Sequence, residues 1–331
     1  MKKSFLWLTI IVLTVLAACS SSNNEESSEN NNEGDNSERS VKIEDALGEQ
    51  TIKGTPKKVV VLEWTYAEDL QALGMEPVGV AGLDSYGDWV DVGIPFSDKV
   101  EDVGTRAEPN LEAISRMDPD LIIGVKFRHE GIADQLKEIA PTIMFEPYSE
   151  ESAKDQYKNM LDEFNTVAKA VDKEDKAKEV VSHMEKTFED QKQRLADAGH
   201  KDVNYVITQA FTSQNTPTLR LFTDNSIVSH VMNKMGMQNA YESDKLETYG
   251  YTSTTVETLQ NYQDSSFFYI VQDNDNIFNN QLKGNPVWED LDFVKEGRTY
   301  KMPGDTWTFG GPLSAEVLSK QVADAMLKED Q

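Results

Sequence analysis

Residues 103–145 read VGTRAEPNLEAISRMDPDLIIGVKFRHEGIADQLKEIAPTIMF. Pro109 and Asn110 open a helix whose apolar positions Leu111, Ile114 and Met117 recur at helical spacing, and Pro119 stops it before the apolar run at 121–124. A run that short and without alternation predicts a strand buried on both faces, hence a parallel sheet. The pattern then repeats. After a loop holding Phe127, Arg128 and His129, the residues Ile132, Leu136, Ile139 and Ala140 form one helix face, and Pro141 resets the chain to an extended 142–145. Each of the two loops carries an arginine, Arg106 and Arg128, on the edge where an open α/β sheet binds its ligand. The site is expected there.

Upstream, residues 41–58 read as an edge hairpin with a turn at 47–49, and 59–62 as the first buried strand. A loop at 63–66 leads into a helix that turns Ala67, Leu70 and Leu73 inward and ends at Gly74. Residues 77–80 make the next strand, and the loop after it is rich in aromatics, Tyr86, Trp89 and Phe96. Strict alternation of strand and helix predicts a doubly wound sheet. Two helices follow with no strand between them, the first capped by Ser149. The second, 172–198, is about 40 Å long at 1.5 Å per residue, which suits a rigid strut between two lobes, although a helix crossing one large domain would read the same. The alternation then restarts, with strands at 203–208, 267–272 and 299–302, a polar loop at 212–220 and a terminal helix at 314–328. The fold class expected is α/β, with two doubly wound lobes joined by a single long rigid helix and a ligand cleft between the lobes. The bounds are 41–171, 172–198 and 199–331.

Composition narrows the function. The formal charge of -26 over 331 residues, with no basic run, argues against nucleic acid. At the N-terminus Lys2 and Lys3 precede an apolar run of about fourteen residues, short for a membrane span and suited to a secretory signal. Leu16-Ala17-Ala18-Cys19 then looks like a lipobox, so residues 1–19 are expected to be a lipoprotein signal and Cys19, the single cysteine, the lipidated residue. Residues 20–40 are mostly Ser, Asn and Glu with one arginine and no apolar side chain, and are expected to form a disordered tether. A lipid-anchored protein on the extracytoplasmic face of the cell membrane follows.

The chain resembles the iron-siderophore substrate-binding lipoproteins of ABC importers. The resemblance rests on 103–112 (VGTRAEPNLE), on Pro119-Asp120-Leu121-Ile122-Ile123, on Phe127-Arg128-His129-Glu130 with Ile139-Ala140-Pro141-Thr142, and on Gly310-Gly311-Pro312 before the terminal helix. It implies a ligand cleft that closes only slightly, and no intrinsic cofactor, the ligand being an iron(III)-siderophore complex. By motif match Arg106 resembles the arginine that meets the iron-chelating oxygens in hydroxamate binders, and Arg128 one used by citrate-type binders. A planar fork of donors suits the oxygen crust of such a complex. Arg220 is the basic candidate of the second lobe, with an exposed strand arginine as the other reading. Trp307, Trp64, Tyr86 and Trp89 would give apolar walls, Trp307 being equally readable as core. Glu112 and Glu257 match the positions of acidic residues that dock onto permease arginines, where a helix-start glutamate is the plainer account. The implied partners are an ABC permease with its ATPase, the ferric siderophore and the membrane, and the expected state is a monomer.

Three other classes of function find less in the sequence. A direct metal-ion binder needs a cluster of His and carboxylates, and only His129 of four histidines falls in a loop. Haem binding on the same fold stays open through Tyr249 or Tyr251 as an axial ligand, and cobalamin binding through the resemblance to the wider family alone. No nucleophile elbow, P-loop or dinucleotide fingerprint supports an enzyme.

Overall fold

The computed structural model describes residues 39–329. Cys19, the signal and nearly all of the 20–40 tether lie outside them. Arg39 is already fixed: its guanidinium donates to the carbonyls of Gly54, Ala170 and Lys169 and pairs with Asp172 at 3.2 Å. The described residues therefore begin inside the segment expected as tether.

The first lobe is built on a five-stranded parallel sheet in the order Glu101–Asp102, Gly79–Val80, Val59–Val61, Leu121–Val125, Thr142–Phe145. Val59–Val61 and Leu121–Val125 are buried at every residue, as strands covered by helices on both faces must be. The chain lays down the central strand first, builds outward on one side, then returns and builds outward on the other. Between Val59–Val61 and Leu121–Val125 the order reverses, and at such a switch point the loops beyond the strand ends diverge and leave a crevice. The hairpin Ser40–Asp45 with Gly48–Lys53 is a separate antiparallel sheet. Its turn falls at Ala46 and Leu47, one residue earlier than expected, and Ala46 N–H donates to Met144 O at 2.8 Å.

The second lobe has six strands in a mixed sheet, with Asn204–Ser213, Ser266–Val271 and Thr299–Met302 parallel. Thr216–Phe222 returns antiparallel to Asn204–Ser213, and Tyr251–Thr254 adds to its far side. The polar loop expected at 212–220 is thus a hairpin. Gln214 and Asn215 adopt φ of 49° and 62°, the left-handed pair that a two-residue hairpin turn requires. Arg220 lies on a strand.

Between the sheets, Ser149 caps only the short helix Glu150–Ala153, and Asp155 caps Gln156–Ala170. The helix Glu174–Asp197 follows, about 36 Å long at 1.5 Å per residue. Its Ala177 packs into the core of the first lobe, and Met184, Phe188 and Leu195 into that of the second. The terminal helix Pro312–Glu329 runs beside it. That helix starts against the first lobe, where Glu68 accepts from Ser314 N–H at 2.7 Å and from Ser314 Oγ at 2.6 Å. The carboxylates approach so closely that a Cβ on Gly310 would lie 2.5 Å from Glu68 Oε2 and one on Gly311 2.4 Å from Asp69 Oδ1. This accounts for the glycine pair before Pro312.

Candidate functional site

Leu62 follows the central strand Val59–Val61 of the first lobe, and Glu63 caps the helix Trp64–Ala72, accepting from Trp64 N–H at 3.1 Å. This places the Glu63 carboxylate at the switch point. Arg106 reaches it from the loop after Glu101–Asp102, with Nη1 2.6 Å from Oε1, and Arg128 from the other side, with Nε 3.1 Å from Oε2. Glu63 is buried while both arginines are partly open. One carboxylate thus engages a single nitrogen of each fork and holds both guanidinium groups in place.

Neighbours fix the rest. The Arg106 guanidinium carbon lies 3.6 Å from the Trp64 ring centroid, and Trp64 Nε1 donates to Ala81 O at 3.1 Å. Arg128 belongs to the short helix Lys126–His129, where a loop was expected. His129 is fully buried: Nδ1 accepts from Val125 N–H at 3.0 Å, so Nε2 carries the proton and donates to Arg106 O at 2.8 Å. Burial lowers its pKa, in keeping with a neutral ring that ties the two arginine loops together. A Cβ at Gly124 would come within 2.9 Å of that ring.

Across the cleft stands Arg220. Its guanidinium carbon lies 4.8 Å from the Phe211 ring and 4.7 Å from the Tyr251 ring, and Nη1 donates to Gln209 Oε1 at 3.0 Å. Its Nε is buried with no hydrogen-bond partner, as is Trp307 Nε1. All three arginines border one cavity of about 480 Å³. An aromatic belt runs round it: Trp64 meets Trp307 at 5.5 Å, Trp307 meets Phe309 at 5.5 Å, and Phe309 meets Tyr251 at 6.1 Å. Tyr251 then meets Tyr249 at 6.1 Å, Tyr249 meets Tyr148 at 4.8 Å, and Tyr148 meets Phe127 at 5.3 Å. Phe127 and Tyr249 are 46% and 48% exposed, leaving apolar rings at the rim on both lobes.

Glu163 and Tyr66 also line the cavity. Tyr66 Oη donates to Glu163 Oε2 at 3.0 Å and Asn159 Nδ2 to Oε1 at 3.0 Å. Burial raises the Glu163 pKa to about 7 against these two bonds. Behind them Asp69 is held well above the ordinary carboxylate range by burial and then by Glu68 and Glu163, and its Oδ1 has no partner.

Of the residues expected in the site, Arg106, Arg128, Arg220, Trp64, Trp89 and Trp307 line the cavity. Tyr86 does not. It is buried at 6.0 Å from Trp64, with Oη donating to Gln71 Oε1 at 3.1 Å, and supports the wall from behind. Glu63, Tyr148, Gln209 and Phe309 line the cavity as well, beyond the site residues expected from the sequence. Glu63 was legible by the same switch-point rule that located Arg128. Glu112 is exposed and pairs with Arg116 at 3.2 Å, and Glu257 is exposed and accepts from Thr255 Oγ1. Neither borders the cavity. Among the described residues, no three His, Cys, Asp or Glu side chains are grouped to hold a metal ion.

A two-lobed fold with its cleft at a sheet switch point defines a class of ligand receptors, and the comparisons agree. The Periplasmic binding protein family matches residues 59–306, and the chain belongs to it. It is 35% identical over 287 residues to the Fe(3+)-citrate-binding protein YfmC of Bacillus subtilis (strain 168), covering 86% of each chain. The probable siderophore-binding lipoprotein YfiY of the same organism is 32% identical over 291 residues, 85% of each chain. Among solved structures, the Fe3+-Desferal-bound siderophore binding protein FhuD from Vibrio cholerae superposes with a TM-score of 0.73 at 26% identity, covering 82% of this chain and 98% of that one. The resemblance drawn from the four motifs is borne out.

Proposed function

We propose that this protein is the extracytoplasmic receptor of an iron importer, capturing a ferric chelate with citrate- or hydroxamate-derived oxygens and handing it to a membrane permease. The supporting observation is the convergence of Arg106, Arg128 and Arg220 on one aromatic-walled cavity whose nearest fixed anion is Glu63. Guanidinium forks satisfy chelate oxygens in pairs, and the belt covers the organic periphery of the ligand. The names of YfmC and FhuD point the same way. The site holds its ligand unchanged, and the ferric ion is cargo.

Titration of the purified protein with ferric citrate, a ferric citrate-hydroxamate and a ferric trihydroxamate tests this. Saturable tryptophan quenching by at least one is expected, because Trp64, Trp89 and Trp307 line the cavity. Binding of none would refute the assignment.

Delivery is read from two exposed positions. Glu112 and Glu257 stand at the starts of Leu111–Met117 and Val256–Asn261, one on each lobe. A solvent-exposed i,i+4 pair such as Glu112 with Arg116 adds only about 0.3–0.5 kcal/mol. Glu112→Ala with Glu257→Ala is therefore expected to keep thermal stability and ligand affinity while lowering iron uptake in cells. Normal uptake at matched protein level would return both to ordinary surface roles. Cys19→Ala is expected to release the protein from the membrane fraction or leave it unprocessed, and a cleaved, membrane-bound mutant would refute lipidation.

A further inference from the structure

A second cavity, of about 490 Å³, lies beside the first and shares Trp89, Gln209 and Arg220 with it. It sits at the carboxyl ends of two parallel neighbours, Asn204–Ser213 and Ser266–Val271, where Ala210 pairs with Val271. That edge of an α/β sheet is where side chains and loops leave room for a ligand. The other wall comes from the first lobe through Asp88 and Trp89. Gln272 spans the seam, its Nε2 donating to Asp88 O at 2.7 Å and to Gly304 O at 3.0 Å, so its remaining amide group is an acceptor.

The two chambers differ in charge. The main one gathers Arg106 and Arg128 around Glu63. The second is bordered by Asp88 and Asp275, and among the described residues Arg220 is the one lysine or arginine that lines it. Asp275 is held in place by its neighbour, one oxygen accepting from Thr212 N–H at 2.7 Å and the other from the Thr212 hydroxyl. Arg220 stands where the chambers meet, clamped between two ring faces, with a buried Nε that no protein group satisfies. An unpaired buried donor gains most from an acceptor brought by a ligand.

We propose that the second chamber is a subsite for a cationic arm of the ligand, an ammonium-bearing chain that leaves the iron-chelating core past Arg220. Arg220 Nε takes a carbonyl or carboxylate oxygen at the junction, and Asp88, Asp275 and Gln272 Oε1 receive the ammonium end. This rests on the reading of the main cleft as a ferric-chelate site. The ligand so defined is dipolar, an anionic or oxygen-rich core with a positively charged tail, and a chelate without such a tail leaves the second chamber to solvent.

The test compares ferric chelates that differ only at the tail, a primary ammonium against its N-acetyl form, on a linear trihydroxamate scaffold and on a citrate-amide scaffold. Calorimetric titration of the full-length protein is expected to show at least a fivefold preference for the ammonium form on the scaffold that binds. Asn274→Trp, which fills the chamber from the exposed turn Asp273–Asp275, and Asp88→Asn should each bring that ratio to within about twofold of unity. Because the readout is a ratio, a general loss of binding does not imitate it. Equal binding of the two forms by the unmodified protein overturns the subsite, and so does a preference that survives both variants. Failure of ferric citrate and of every chelate to bind overturns the proposed function, and the subsite falls with it.

Discussion

The two walls of the cleft present the same chemical group and build it in opposite ways. On the first lobe two guanidinium groups share the Glu63 carboxylate, one lies flat on Trp64, and the buried His129 ties their loops together. On the second lobe Arg220 has a neutral amide and two ring faces for company, and among the described residues no carboxylate pairs with it. The first wall is therefore preorganised: its side chains are fixed before the ligand arrives, and little ordering remains to oppose binding. The second wall offers uncompensated charge and an unsatisfied donor. The first suits the invariant part of a ferric chelate, its coordinating oxygens, and the second the part that varies from ligand to ligand.

The largest effects should come from the first wall. Arg106→Ala and Arg128→Ala each remove a charge-assisted contact and are expected to cost about 1.5–3 kcal/mol, tenfold to more than a hundredfold in affinity. Arg220→Ala should cost less than either for a chelate without an arm and should flatten the salt dependence of binding. Titration at two ionic strengths measures both. A larger loss from Arg220→Ala than from Arg106→Ala would invert the comparison.

Glu63→Gln separates holding from binding. The amide can still accept from Trp64 N–H or Arg106, but it cannot satisfy both arginines. Stability should fall by about 1–3 kcal/mol, as for a buried partner removed from a charge pair. Affinity for an anionic chelate should change by less than the Arg106→Ala loss, since the site gains net positive charge as it loses order. Denaturant melts alongside titration decide. Unchanged stability with an affinity loss as large as that of Arg106→Ala would mean that Glu63 itself contacts the ligand.

The same contrast explains what the sequence disclosed. In the first lobe the inner strands Val59–Val61 and Leu121–Val125 are buried apolar runs that open shortly after Pro56 and Pro119, so 121–124 reads directly as a buried strand and its loops as the site edge, while the two exposed acids of the edge strand Glu101–Asp102 carry no such signal. The second lobe hid its hairpin. Residues 212–220 line or approach a polar cleft and lack the alternation of a strand with one apolar face, so Thr216–Phe222 read as loop and Arg220 was placed without its setting. Glu63 was passed over because one acid among 58 carries no signal of its own; only its place at a switch point marks it. Tyr86 erred the other way. An aromatic in a loop beside the sheet edge looks like a wall residue, and nothing in the sequence says that Trp64 covers it.

Glu163 belongs to neither wall. It lies on Gln156–Ala170 at the cavity floor, and burial lifts its pKa from 4.5 to about 7. Between those values the folded protein keeps a proton that the unfolded chain has released. Its contribution to stability is thus complete below about pH 4.5 and is lost as pH rises through about 7. Asp69, also raised, acts with the same sign but does not line the cavity. Ionised Glu163 would add negative charge beside an anionic chelate, so affinity is expected to fall about twofold to tenfold between pH 6 and 8. Glu163→Gln removes the titration while keeping an acceptor for Tyr66. It should abolish its share of the affinity slope and flatten the stability slope in part, leaving the shares due to Asp69 and to Glu68, whose pKa burial also raises. Calorimetric titrations and thermal melts of both proteins across that range provide the check. If the Gln variant keeps the full affinity slope of the unmodified protein, the proton that matters is on the ligand or on another group, and the cleft floor is electrostatically silent.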